Sequence, residues 1–279
     1  MTTIPTIALS DGTSIPAIGF GTYPLRGREG TDATLSAIAE GYRLLDTAVN
    51  YRNEDAVGAA VRETDVPREE LVIATKLPGR DHGYEETITS FRGSLDSLGL
   101  DTIDLYLIHW PNPSVGRFVE SWKAMVQLQR EGLVRSIGVS NFTEEFLTRI
   151  ADETGVLPAV NQIELHPYFP QEELLAFHQQ QGILTEAWSP LGKAQAPFAE
   201  APIAAAAEAH GVTPAQIILR WHHERGVLPI PKSASAERQR SNIDIFGFEL
   251  NDAEVQAITA LGKADGRLFG GDPNTHEEM

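Results

Sequence analysis

The sequence predicts an α/β chain folded as a closed (β/α)₈ TIM barrel with a short N-terminal β-hairpin. Three observations carry that expectation. Short, near-continuous apolar segments alternate with amphipathic helical patterns, which is how a parallel sheet covered by helices reads in sequence. Eight such units fit in 279 residues, a length that suits one closed barrel better than an open doubly wound sheet. No linker, low-complexity run or composition shift marks a second domain, so residues 1–279 are expected to form one domain.

The elements follow in order. Ile7 to Leu9 and Ile15 to Ile18 flank Asp11-Gly12, a hairpin with a tight turn. AIGFGT (17–22) reads as the first barrel strand, then a helix with Leu35, Ile38 and Ala39 on one face and Gly41 just past its end. YRLLD (42–46) leads into a helix with Asn53 as cap, Glu54 and Asp55 in its first turn, and Val57, Ala60 and Val61 facing inward. LVIATK (71–76) precedes a helix carrying Ile88, Phe91, Leu95 and Leu98 and stopped by Gly99. IDLYLIH (103–109) precedes one with Phe118, Trp122 and Met125, stopped by Gly132. RSIGVS (135–140) is followed by a helix capped by Thr143 with Phe146, Leu147 and Ile150 inside, and PAVNQI (158–163) by one with Leu174, Leu175 and His178. ILTEAW (183–188) is followed by two helical patterns, the second opened by Thr213 and Pro214. VLPIP (227–231) is the eighth strand, and an Asn251-capped helix with Val255 and Ile258 comes late.

Composition narrows the function classes. Hydrophobic content of 42% and charged content of 22% are those of an ordinary globular protein. A formal charge of −17 repels nucleic acid and anionic membranes at long range, so neither is expected as a partner. Any anionic ligand has to be met by a local basic cluster. The chain has no cysteine, which excludes disulfides and thiolate metal sites. MTTIPTIALS lacks a basic region and a long apolar run, and no segment approaches the ~20 apolar residues of a membrane span, so a cytoplasmic protein is expected.

A barrel places its active site at the C-terminal strand ends, and those positions can be read directly. They are Gly21-Thr22-Tyr23, Asp46 with Tyr51, Lys76, His109-Trp110, Ser140-Asn141, Asn161-Gln162, Trp188-Ser189 and Lys232-Ser233. Almost all are polar or aromatic after runs that are almost wholly apolar. Asp46 and Tyr51 lie on one loop between two rigid elements, where catalytic residues concentrate. A tyrosine with a reference pKa of ~10 is a poor acid unless a cation favours its phenolate. Lys76 is a candidate for that cation, and Asp46 for the carboxylate that holds it. His109 can offer a neutral N–H to a carbonyl. Each also has a plainer reading: Asp46 with Lys76 as a buried ion pair, and His109 as a hydrogen-bonded core residue. Their joint occurrence beside Tyr51 favours chemistry.

A second set lies in IPKSASAERQRSN (230–242). Lys232, Ser233 and Arg238 near a helix N-terminus can form a phosphate site, or simply a solvated loop. Trp188 offers a flat face to an aromatic ring, or to the core. Asn141 and Gln162 have the donor–acceptor pattern that reads a carboxamide. Gly19-Phe20-Gly21 lacks the third glycine of a dinucleotide fingerprint. His166, His210 and His222-His223 show no metal-ligand spacing with carboxylates, so no metal is expected.

Several long motifs then fall in order at these strand ends: GYRLLDTAVNYRNE (41–54), VIATK (72–76), LYLIHWP (105–111), GLVRSIGVSNF (132–142), PAVNQIELHP (158–167) and IPKS with Arg238 and Asn242. With them the chain resembles the aldo-keto reductase family over nearly its whole length. NPSVGR (112–117), TPAQIILRWH (213–222) and GDPNTHEEM (271–279) make it most similar there to the bacterial 2,5-diketo-D-gluconic acid reductases. The resemblance implies NADPH extended across the strand ends, without a Rossmann domain. It implies Tyr51 as general acid, Lys76 and Asp46 as its tuning pair, and His109 as carbonyl orienter. Trp188 would stack on the nicotinamide, with Ser140, Asn141 and Gln162 at its carboxamide. Ser189 and Leu191 would add to the cofactor site. Lys232, Ser233 and Arg238 would grip the 2′-phosphate, with Asn242 near the adenine. Gly21, Thr22 and Tyr23 would line the mouth, and Tyr23, Tyr51, His109 and Trp110 would meet a small-molecule carbonyl substrate. The implied reaction is carbonyl reduction, such as 2,5-diketo-D-gluconate to 2-keto-L-gulonate, by a monomer. The alternatives are a broad reductase of small aldehydes and dicarbonyls, an NADPH-binding regulatory subunit, and a metal-dependent barrel hydrolase. Many relatives carry tryptophan two residues after the lysine, where this chain has Pro78, which implies a more open wall. The tail after Gly262 is short and acidic, so the enclosing walls are expected to differ too.

Overall fold

The computed structural model describes residues 4–193 and 197–278. Strands β1 (Thr6–Ala8) and β2 (Ser14–Pro16) pair antiparallel with Ile7 opposite Ile15. The turn is held by the Asp11 carboxylate, which accepts from the Thr13 N–H and hydroxyl at 3.0 and 2.7 Å. Leu9 and Ile15 pack with Leu44, Val72 and Val160, the first residues of three barrel strands, so the hairpin plugs the N-terminal end of the barrel.

The barrel is built from β3 (Gly19–Gly21), β4 (Leu44–Asp46), β5 (Val72–Leu77), β6 (Ile103–Ile108), β7 (Val134–Ser140), β8 (Val160–Glu164), β9 (Leu184–Trp188) and β10 (Val227–Ile230). They form one parallel sheet in chain order. The Gly21 N–H donates to the Pro231 carbonyl at 3.1 Å and joins the two ends of the sheet. A Cβ on Gly21 would stand 3.3 Å from the Ile230 carbonyl oxygen, a tight approach at this seam. With all strands parallel, every C-terminal end opens on one face.

Helices α1 (Gly27–Ala39), α2 (Glu54–Glu63), α3 (Tyr84–Leu98), α4 (Phe118–Arg130), α5 (Glu144–Thr154), α6 (Glu172–Gln181), α7 (Ala201–His210), α8 (Pro214–Glu224), α9 (Ala236–Ile243) and α10 (Asp252–Thr259) lie around it. The expected inward faces of α2, α4 and α5 are buried. That of α1 is rotated: Ala33, Thr34, Ala37 and Ile38 are buried, while Ala39 is exposed. Thr34 donates its hydroxyl to the Gly30 carbonyl at 2.8 Å, which lets a polar residue share the buried face. The strands are also shorter than their apolar runs. Residues 17–18 and 42–43 lie outside the ladder although Ala17, Ile18 and Tyr42 are buried, because apolar runs continue into the turns that cover the core.

Candidate active site

Strand β4 ends at Asp46, and the chain then makes a short 3₁₀ turn, Val49–Tyr51, before α2. Asn53 fixes this loop. It stands at the start of α2 without bonding its first turn. Instead its oxygen accepts from the Thr47 hydroxyl at 2.6 Å, and its amide donates to the Leu25 carbonyl at 2.8 Å and to Thr22 Oγ1 at 3.0 Å. The expected cap is therefore a tie between loops. Thr143 likewise precedes α5 with no side-chain cap bond.

Lys76 is fully buried on β5, and its Nζ donates to Asp46 Oδ1 and Oδ2 at 2.6 and 2.8 Å and to the Thr47 carbonyl at 2.9 Å. The Tyr51 hydroxyl accepts from the same nitrogen at 3.4 Å. Burial alone would lower the Lys76 pKa, but the charge of Asp46, then the Tyr51 oxygen, raises it above the ordinary lysine value. For Tyr51 burial prevails: its phenol is pushed up to about 12, although Lys76 pulls the other way, with Asp46 and Glu278 adding to the rise. The sequence expectation that Lys76 favours the phenolate is met in direction and outweighed by desolvation. Tyr51 is thus a protonated phenol at neutral pH.

His109 follows β6, its backbone N–H donating to the Leu77 carbonyl at 3.0 Å. Its ring stands edge-on to Tyr51, with centroids 5.7 Å apart, and the Tyr23 ring packs on Tyr51 with centroids 5.1 Å apart. The structure therefore brings Asp46, Tyr51, Lys76, His109 and Tyr23 to one place. Thr22 is close by but turned inward, its hydroxyl donating to the Asp46 carbonyl at 2.9 Å.

Around the mouth, Trp188 is half-buried and its Nε1 donates to Asn141 Oδ1 at 2.8 Å. The Asn141 amide donates to the His109 carbonyl at 3.0 Å, which ties the two strand ends together. Ser140 Oγ donates to the Gln162 carbonyl at 2.8 Å. The Gln162 amide is shared between Asp46 Oδ1 and Glu186 Oε2, at 2.9 and 3.0 Å, so that nitrogen serves the barrel interior. Ser189 has a left-handed φ of 50°, and Leu191 is half-buried. Beyond β10, Lys232 and Arg238 are exposed, and Arg238 Nε donates to the buried Ser233 Oγ at 3.1 Å. Asn242 is buried on α9. Lys232 and Ser233 before α9 and Arg238 in its first turn suit a phosphate.

The C-terminal segment supplies residues that sequence reasoning did not pick. Phe269 packs on Trp188 with centroids 5.1 Å apart, and His276 on the buried Trp110 at 4.1 Å. Glu278 Oε1 lies 2.8 Å from His109 Nδ1, off the line of a good hydrogen bond. Buried Asn112 holds both sides of Glu278, donating to its carbonyl and accepting from its N–H at 3.3 Å. A Cβ on Gly79 would fall 2.0 Å from the Glu278 carbonyl oxygen. The wall beside Pro78 is thus lined by the tail. The signal available in sequence was only its acidity.

Among the described residues no helix is long and apolar enough to cross a membrane, and no cluster of His, Cys, Asp or Glu could hold a metal. The aldo/keto reductase family model matches residues 17–263. A 2,5-diketo-D-gluconic acid reductase B from a Corynebacterium species is 58% identical over the full length of both chains. The chain belongs to the aldo/keto reductase family. A morphine 6-dehydrogenase from Pseudomonas putida is 44% identical over 96% of this chain and 94% of its own. The crystal structure of an aldo/keto reductase from Brucella melitensis superposes with a TM-score of 0.90 at 47% identity, over 93% of this chain and all of the other. A Bombyx mori aldo-keto reductase in complex with NADP gives 0.88 at 36%, over 94% of each chain. As an aldo/keto reductase the chain is an NADP(H)-dependent oxidoreductase that reduces carbonyl groups. The chemistry of its residues fits that cofactor: Trp188 offers an aromatic ring, and Lys232 and Arg238 offer exposed cations beside buried Ser233.

Proposed function

We propose that this aldo/keto reductase reduces the ketone of a keto sugar acid, such as 2,5-diketo-D-gluconate to 2-keto-L-gulonate, with Tyr51 as proton donor. The observation that carries the role assignment is the Tyr51 hydroxyl 3.4 Å from a lysine that is itself paired at 2.6 Å with Asp46. When bound, NADPH supplies the hydride. A carbonyl carbon that gains hydride leaves an oxygen that needs a proton, and Tyr51 holds one at neutral pH. Lys76 stays charged and draws the developing phenolate, while Asp46 keeps that charge in place. His109 orients the carbonyl oxygen beside Tyr51. Trp188, Ser189 and Leu191 hold the nicotinamide half of the cofactor, with Ser140, Asn141 and Gln162 nearby. Lys232, Ser233, Arg238 and Asn242 hold the phosphorylated adenosine, and Gly21, Thr22 and Tyr23 edge the mouth with Trp110.

The substrate class is supported by the full-length likeness to the Corynebacterium enzyme. Removing a positioned proton donor costs on the order of 10²–10⁴ in rate. Tyr51→Phe is therefore expected to lose at least that factor in kcat while binding NADPH as tightly as the native enzyme by fluorescence titration. Weakened NADPH binding with modest loss of kcat would remove Tyr51 from the chemistry. Ranking keto sugars, dicarbonyls and aromatic aldehydes by kcat/KM tests the substrate class, and aromatic aldehydes at the top of that order would overturn it.

A further inference from the structure

The position of Glu278 points to a feature of the substrate that the catalytic residues alone do not select. The inference rests on Tyr51 and His109 as the groups that receive the carbonyl. We propose that Glu278 is a specificity-determining residue: its carboxylate beside His109 favours a carbonyl flanked by a hydroxyl-bearing carbon and rejects one flanked by a carboxylate.

The carboxylate stands 2.8 Å from Nδ1 of His109, so a charge carried beside the carbonyl that His109 receives lies in its field. It is also held there. Asn112 clamps the Glu278 peptide on both sides, Ser114 donates its N–H to Glu277 Oε1 at 2.8 Å, and His276 rests on Trp110. An ionised carboxylate only accepts hydrogen bonds, and a substrate hydroxyl next to the carbonyl is a donor of the right kind. A substrate carboxylate in that place would instead meet a like charge out of water. Glu278 is ionised at neutral pH: burial would raise its pKa, but His109, then Asn50 and the Gly79 N–H, bring it below the usual carboxylate range.

Two exposed cations border the Tyr51 loop. Arg26 Nε donates to the Tyr51 carbonyl at 2.9 Å, and Arg80 donates to the Asn50 side chain. Both guanidinium groups belong to exposed residues on the rim. An acid group remote from the reacting carbonyl can reach that rim, whereas one attached to it cannot avoid Glu278. In a keto sugar acid with two ketones, this disfavours the ketone beside the carboxylate.

Hydroxyacetone and pyruvate separate the two cases, since they differ only in a CH₂OH or a carboxylate beside the same methyl ketone. The native enzyme with NADPH is expected to prefer hydroxyacetone in kcat/KM. Glu278→Gln keeps the shape and an acceptor but removes the charge, and should narrow that preference by about ten-fold or more, chiefly through the KM for pyruvate. NADPH affinity should not change. Equal effects on both substrates, or weakened NADPH binding, would show a merely structural role and overturn the inference while leaving the reductase assignment intact. A native enzyme that oxidises NADPH with neither ketone nor with any keto sugar would overturn the proposed function, and this inference with it.

Discussion

Glu186 shows how one residue inside the barrel bears on the charge of the site. It lies on β9, fully buried, and shares the Gln162 amide with Asp46, while its Oε1 has no partner among the described residues. Two carboxyl groups thus meet around one cation, Lys76. Burial pushes Glu186 up to about 7; the Gln162 bond and Lys76 oppose this, and Asp46 adds to it. The consequence for stability has a definite sign. Between the ordinary value of 4.5 and about 7 the unfolded chain has released this proton and the folded chain keeps it, so stability falls as pH rises through that window. The shift amounts to about 3 kcal/mol lost by pH 8. Glu186→Gln cannot ionise and should melt higher than the native protein at pH 8, with the difference gone at pH 4. Equal melting temperatures at pH 8 would mean that Glu186 is not held neutral in the fold.

At the scale of elements, residue type located the helix ends better than it explained them. Thr213 and Asn251, read as caps from their residue type, form full capping boxes with Gln216 and Glu254. Asn53 has the same local credentials but is drawn away by Thr22, Leu25 and Thr47, partners that lie on other turns of the chain. Local sequence cannot show that competition, because the winning partners appear only once β3 and β4 are side by side. The rotated face of α1 has a different origin, a local one: Thr34 bonds its own helix and packs inward. The two kinds of cap make different predictions. Thr213→Ala should cost about 1 kcal/mol in urea unfolding and leave turnover unchanged. Asn53→Ala leaves buried donors and acceptors around the Tyr51 loop without partners, so it should cost about 3 kcal/mol and lower kcat as well. Unchanged kcat in a folded Asn53→Ala protein would separate that loop from the chemistry.

For the whole molecule, what was legible followed the regularity of the barrel. Parallel strands put Asp46, Lys76, His109 and Trp188 at corresponding ends, so residues far apart in sequence could be assembled by counting strands. Glu278 breaks that rule, since it reaches His109 through an irregular tail whose path depends on Asn112, Gly79 and Trp110 together. Net charge is the other global property, and it bears on cofactor choice. A chain of net charge −17 repels NADPH at long range, and the extra phosphate of NADPH makes it the more strongly repelled of the two nicotinamide cofactors. Preference for NADPH therefore has to come from contacts within a few ångströms of that phosphate, and the site proposed for it is the loop in which exposed Lys232 and Arg238 flank buried Ser233. A hydrogen bond to a charged group contributes about 1.5–3 kcal/mol, or roughly ten- to hundred-fold in affinity. Lys232→Gly should weaken NADPH by that factor in a fluorescence titration and leave NADH within about two-fold of the native value, because NADH has no phosphate for Lys232 to meet. If both cofactors weaken alike, Lys232 supports the loop instead of reading the phosphate, and the preference would have to rest on Arg238 alone.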